Sequence, residues 1–232
     1  MNGYEVRYLI VAGVAWIRCT RGAPAGESAL WLTTFEDGPR VRKTPIPLGE
    51  LGEVPLAGEV DGTAWELEVE ELAPPFRSPH RALRRLAPSG METWPALRVR
   101  GRVGDRTFEA TPGHRARIWG RRHAASWGWA HGSTLDGRWV QLLSAKLGPL
   151  PLSQHASERG GPGLPLARAT VEPGRVAVGP YVAEAPLDTF VAVEYADPDG
   201  TPVRCLHSEA ARLSGNGVEL ANVALELGGA AA

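Results

Sequence analysis

Residues 114–132 read His114-Arg-Ala-Arg-Ile-Trp119-Gly-Arg121-Arg-His123-Ala-Ala-Ser126-Trp127-Gly-Trp129-Ala-His131-Gly132. As a strand, Ser126–Gly132 sends alternate side chains to opposite faces. Trp127, Trp129 and His131 then share one face, and Ser126, Gly128, Ala130 and Gly132 share the other. The small face suits close packing against a neighbouring layer, and the aromatic face suits a barrel interior with room in it. Trp119, Arg121 and His123 have the same parity and are carried onto the aromatic face, with Gly120 as a point where the strand can bulge. Arg121, His123 and His131 are then polar groups among indole rings. Each needs a partner, since an unpaired buried polar group costs roughly 1–3 kcal/mol. Ligand pockets combine apolar walls with a few placed polar groups in this way. Packed core is the alternative for the same pattern, because tryptophans at alternate positions also fill cores.

Hairpin signals surround this stretch. Asp61-Gly62, Gly104-Asp105, Asp136-Gly137 and Asp197-Pro198-Asp199-Gly200 each lie between segments of strand character. Tyr4–Leu9 and Ala15–Thr20 alternate around Gly13, and Leu30–Phe35 follows. Close-set hairpins with almost no helical periodicity predict an all-β chain built as an antiparallel meander, the raw material of up-and-down barrels. The exception is Ser78-Pro79, which reads as an N-cap with proline at the first helical position, predicting two turns over His80–Leu86. The first run of hairpins ends at Thr111-Pro112-Gly113. The expected division is therefore residues 1–112 and 113–232, with the chain crossing between Ala110 and Trp119.

The length of 232 residues is enough for two small barrels, each with its own core. The formal net charge of -1 gives no electrostatic reason to expect nucleic acid or an anionic membrane as partner. No apolar run approaches a membrane span, and Leu9–Ala15 lacks a convincing cleavage pattern behind it. Cys19 and Cys205 read as two unpaired thiols of a cytoplasmic protein, with a disulfide between them as the alternative. His123 and His131 are eight residues apart with no acidic or cysteine ligand beside them, so no metal is expected there. No glycine-rich phosphate loop opens a helix, and no nucleotide or other cofactor is expected. Ser153-Gln154-His155 lacks a nucleophile-elbow context.

Trp119-Gly120-Arg121-Arg122-His123-Ala124, followed by Trp127, Trp129, His131 and Gly132, resembles a motif of the AttH-like superfamily. That superfamily includes carotenoid 1,2-hydratases, tocopherol-cyclase-like proteins and lipocalin-like Diels–Alderases. Tyr8-Leu9, Ala15-Trp16-Ile17-Arg18 and Ala29-Leu30-Trp31-Leu32-Thr33-Thr34-Phe35 are similar to its opening strands, in the right order. The resemblance covers most of residues 4–145. It implies two tandem lipocalin-like (calycin-type) barrels and a hydrophobic small-molecule ligand of isoprenoid or polyketide class. Ile118 and Arg122 stand where one related pattern has Asn and Glu, so a mechanism built on those two residues does not carry over.

Three functions are open on this reading. The first is an enzyme that hydrates, cyclises or isomerises its ligand, with His123 or His131 as general acid, Arg121 alongside, and Trp119, Trp127, Trp129, Trp16 and Trp31 binding the ligand. The second is a non-catalytic carrier of a hydrophobic metabolite. The third is a structural domain whose barrels are filled by side chains, for which eight tryptophans supply ample volume. Fold resemblance alone does not choose among them.

Overall fold

Asp61 and Gly62 turn the chain between β5 (Ala57–Val60) and β6 (Thr63–Glu71), with Val60 paired to Thr63. Their φ values of 49° and 72° are the left-handed pair that a two-residue hairpin requires, which is why Asp-Gly stands there. Turns of this kind recur along a chain that is nearly all antiparallel sheet. The computed structural model describes residues 3–22, 28–35, 38–46, 53–78, 89–147, 150–158, 168–197 and 199–232. Among these, the helical structure is one 3-10 turn, Leu187–Thr189. The short helix expected after Ser78 lies outside the described residues, and Ser78 itself ends a strand.

The first unit comprises Met1–Arg122 together with the turns Leu135–Gly137 and Ala196–Thr201. Its other strands are β1 (Tyr4–Val11), β2 (Ala15–Gly22), β3 (Ser28–Thr34), β4 (Arg40–Ile46), β7 (Phe76–Ser78), β8 (Ser89–Val103) and β9 (Arg106–Gly120). They pair in the order β4-β3-β2-β1-β9-β8-β6-β5, with β7 on β8. The second unit holds β10 (Ser126–Ser133), β11 (Trp139–Leu147), β12 (Leu150–Glu158), β13 (Ala169–Glu172), β14 (Arg175–Val178), β15 (Tyr181–Glu184), β16 (Val191–Ala196), β17 (Pro202–Gly215) and β18 (Val218–Gly229). Its order is β12-β11-β10-β18-β17-β15-β14-β13, with β16 on β17. In both sheets the first strand pairs with the last, β1 with β9 and β10 with β18. A meander joined in that way is a nearly closed up-and-down barrel, with its gap between β4 and β5 or between β12 and β13.

Thr111-Pro112-Gly113, where the division was expected, lies inside β9 rather than between units. Gly113 is a packing residue there, not a turn residue. A methyl on it would sit 2.7 Å from both the Ile10 carbonyl oxygen and Val99 Cγ2. Bulges in β8 between Trp94 and Leu97, and between Val99 and Gly101, flank the segment where Pro112 interrupts the ladder.

Each barrel has an apolar cluster in its interior. In the first, Leu9, Val11, Ile17, Leu32, Leu97 and Val99 pack with Trp65 and Leu67. In the second, Ala130, Val140, Leu142, Val176, Val178, Ala211, Val223, Leu225 and Leu227 pack together. Three tryptophans lie across a glycine on the paired strand: Trp65 opposite Gly58, Trp119 opposite Gly90 and Trp127 opposite Gly228. A side chain on any of those glycines would run into the ring. Cys19 and Cys205 are not joined by a disulfide; both are buried, one in each unit. Among the described residues no helix is long and apolar enough to cross a membrane.

Candidate functional site

The alternation read from Ser126–Gly132 holds in β10, but the two faces are exchanged relative to expectation. Ala130 belongs to the apolar interior. A methyl on Gly128 would meet Val176 Cγ2 at 2.6 Å, and one on Gly132 would meet Val223 Cγ2 at 2.8 Å. The small face therefore points into the barrel, where its neighbours leave no room for a larger residue. Trp127, Trp129 and His131 take the face away from the interior. They are nevertheless buried, at 9%, 6% and 2% exposure.

Strand pairing extends this second face across four strands. His131 lies opposite Gln141, and Ser133 opposite Trp139, on β11. Trp129 lies opposite Glu226 on β18, which in turn lies opposite His207 on β17. The contacts follow that register. The His131 ring stacks between Trp129 and Trp139, with centroid separations of 6.0 and 6.4 Å and planes within 18° and 8°. Its Nδ1 is 3.3 Å from Gln141 Oε1. With that amide oxygen accepting, Nδ1 carries a proton. The Trp127 Nε1–H donates to Glu226 Oε1 at 2.8 Å, and Glu226 Oε2 is 3.1 Å from His207 Nε2. His123, half-buried, stacks on Trp127 at 5.7 Å.

The structure thus brings together Trp127, Trp129, His131 and His123. It places the other expected site residues in the first unit. Trp119 is on the interior face of β9, paired with Glu5, with the Arg117 guanidinium 5.5 Å from its ring. Arg121 is exposed beyond the end of β9. Trp16 and Trp31 lie on the face of the first sheet opposite its interior. Trp16 has Arg18 at 5.2 Å, and Trp31 donates to Thr20 Oγ1 at 2.9 Å. Glu226, His207, Gln141 and Trp139 were not singled out as site residues from sequence, and Cys205 was read only as an unpaired or disulfide-bonded thiol. Cys205-Leu206-His207 was the available signal, since alternation puts its ends on one face.

The first unit has a pocket of its own, about 50 Å³ in volume, lined by Arg7, Glu53, Val54, Glu92, Trp94, Arg115 and Arg117. It has room for a few waters rather than for an isoprenoid. Metal-ligand chemistry is concentrated instead in the second unit. Cys205, His207 and Glu226 have donor atoms all within 4.8 Å of one another.

No family model and no curated protein matches the sequence. Solved structures do match the fold. An AttH candidate from Nitrosomonas europaea superposes with a TM-score of 0.57 at 12% identity, covering 97% of this chain and 92% of that one. Kievitone hydratase from Nectria haematococca superposes with a TM-score of 0.59 at 8% identity, covering 98% of this chain and 88% of that one. Each match covers both barrels, so this chain shares the fold of these two structures, all-β with two antiparallel lipocalin-like barrels.

Proposed function

We propose that the protein binds an apolar small molecule of isoprenoid or polyketide class against the Trp127–Trp129–His131 face, and that His131 is the proton donor for its hydration, cyclisation or isomerisation. The observation that carries this reading is a buried, ring-stacked histidine held by Gln141 on the face turned away from the barrel interior. Imidazole is the side chain most often used as a general acid or base. Indole faces beside it favour a developing cation, whether on the imidazole or on the ligand. In this reading Gln141 holds the Nδ1–H, and the proton transferred to the ligand is the one on Nε2 of the doubly protonated imidazolium. Kievitone hydratase is by its name a hydratase, and the shared fold makes that reaction class the first to test. His123, stacked on Trp127, is the second candidate acid. Arg121 is exposed, and nothing around it argues for a catalytic role.

A carrier that holds its ligand inside a barrel is the weaker reading, because an apolar cluster packs the second interior and the pocket of the first unit is about 50 Å³. The test is a panel of isoprenoids and polyketides, followed by tryptophan fluorescence, melting temperature and product analysis. Binding compounds are expected to quench fluorescence and raise the melting temperature. His131→Gln is expected to keep binding and lose roughly 10²–10⁴-fold in turnover. Binding without conversion by the wild type would make the protein a carrier. A panel with no effect on either signal would overturn the ligand site itself.

A further inference from the structure

We propose that Cys205, His207 and Glu226 form a zinc site on the second sheet, distinct from His131 although Trp127 borders both. Cys205 and His207 are alternate residues of β17, so their side chains leave the same face. Glu226 stands directly opposite His207 on β18, and Cys205 stands opposite Gly228, which contributes no side chain. The register therefore converges a thiol, an imidazole and a carboxylate on one point. Cys205 and His207 are each 1% exposed. The Glu226 side chain is 14% exposed.

The donor set and its spacing fit zinc. Zinc takes thiolate sulfur at about 2.3 Å, imidazole nitrogen at about 2.0–2.1 Å and carboxylate oxygen at about 2.0–2.2 Å, in tetrahedral array. Those lengths put nitrogen and oxygen roughly 3.4 Å apart, and sulfur roughly 3.6 Å from nitrogen. His207 Nε2 and Glu226 Oε2 are 3.1 Å apart, already near that span. All three donors lie within 4.8 Å, so closing the sulfur onto the ion takes a movement of about 1 Å.

Glu226 also has the outer support that metal carboxylates commonly receive. Trp127 Nε1–H holds Oε1 at 2.8 Å, which fixes the carboxylate with Oε2 turned to His207. Three protein donors leave one tetrahedral position for water or another oxygen ligand.

The experiment uses the full chain without a histidine tag, stripped with chelator under reducing conditions, in a Cys19→Ala background that leaves Cys205 the single thiol. Titration with Co²⁺ is expected to give a thiolate-to-cobalt charge-transfer band in the near ultraviolet and intense visible bands of four-coordinate cobalt, saturating at one equivalent. Zn²⁺ is expected to displace the cobalt, raise the melting temperature and slow alkylation of Cys205 in urea below the unfolding midpoint, where opening exposes the otherwise buried thiol. Adding Cys205→Ser should abolish the charge-transfer band, and His207→Ala should weaken Zn²⁺ binding by about 100-fold or more, beyond what loss of an outer partner costs. The alkylation measurement needs no further variant, so a misfolded Cys205→Ser does not blunt the test. Weak octahedral cobalt bands without charge transfer, or an alkylation rate and melting temperature unmoved by Zn²⁺, would overturn the proposal. Because these signals require no organic ligand, failure of the panel experiment leaves them intact.

Discussion

The two barrels share a strand plan and differ in what lines them. In the second, the described interior cluster is apolar but for the Tyr181 hydroxyl, and His131, His207 and Glu226 sit on the opposite face. In the first, the interior face of β1 runs Glu5, Arg7, Leu9, Val11, so that charge follows directly on the apolar cluster. Glu5 is 4% exposed and meets Arg7 and Arg117 at 2.8 Å each and Arg21 at 3.0 Å. The comparison teaches that one meander can be held in two ways. One end of the first barrel depends on an ion network, whereas the second relies on close packing of small and branched side chains.

Breaking the network is the largest expected effect. Glu5→Ala leaves three guanidinium groups around a vacated carboxylate, and should cost about 3 kcal/mol. The cost should shrink in high salt, which screens the remaining cations. Urea unfolding at low and high ionic strength measures both. A cost below about 1 kcal/mol would class Glu5 with ordinary surface pairs.

Overfilling the second barrel comes next. Gly128→Val drives branches toward Val171 and Val176 and should cost about 1–3 kcal/mol, unchanged by salt. If it proved neutral, the tight approach on the small face of β10 would be wrong.

The smallest effect sharpens the first barrel alone. Burial pushes the Cys19 thiol from its ordinary value of 9.0 up to about 11, against the opposing pull of the Arg7 cation. Below about pH 9 the thiol is protonated in both folded and unfolded chains, and this contribution to stability is fully present. As pH rises from there through about 11, the unfolded chain ionises first, so the stability is lost. Cys19→Ala should flatten that alkaline limb of the stability curve, and native Cys19 should resist thiol reagents at neutral pH.

The strands and their turns were legible in the sequence because hairpin chemistry is local. Asp61-Gly62 and Gly104-Asp105 state their turn directly. The alternation at Trp127, Trp129 and His131 was legible for the same reason. What alternation cannot state is which face meets the core. That depended on Val171, Val176, Leu220 and Val223, branched residues far along the chain that close over Gly128 and Gly132. The His207–Glu226 pair was invisible for a related reason: it exists only through the register of β17 on β18, which neither strand carries alone. Pro112-Gly113 misled because Pro-Gly usually turns the chain, whereas here bulges in β8 absorb it within a strand.

The tryptophan–glycine pairs have a consequence for how related chains can diverge. Trp65 with Gly58, Trp119 with Gly90 and Trp127 with Gly228 each occupy a single volume with two sequence positions. Neither member of a pair can drift by itself, since a side chain on the glycine evicts the ring and loss of the ring leaves a void. Substitution there must be concerted, with bulk passing from one strand to its neighbour in the same step. In an alignment of relatives these positions should therefore covary as three separate couples, marking strand register even where identity has decayed.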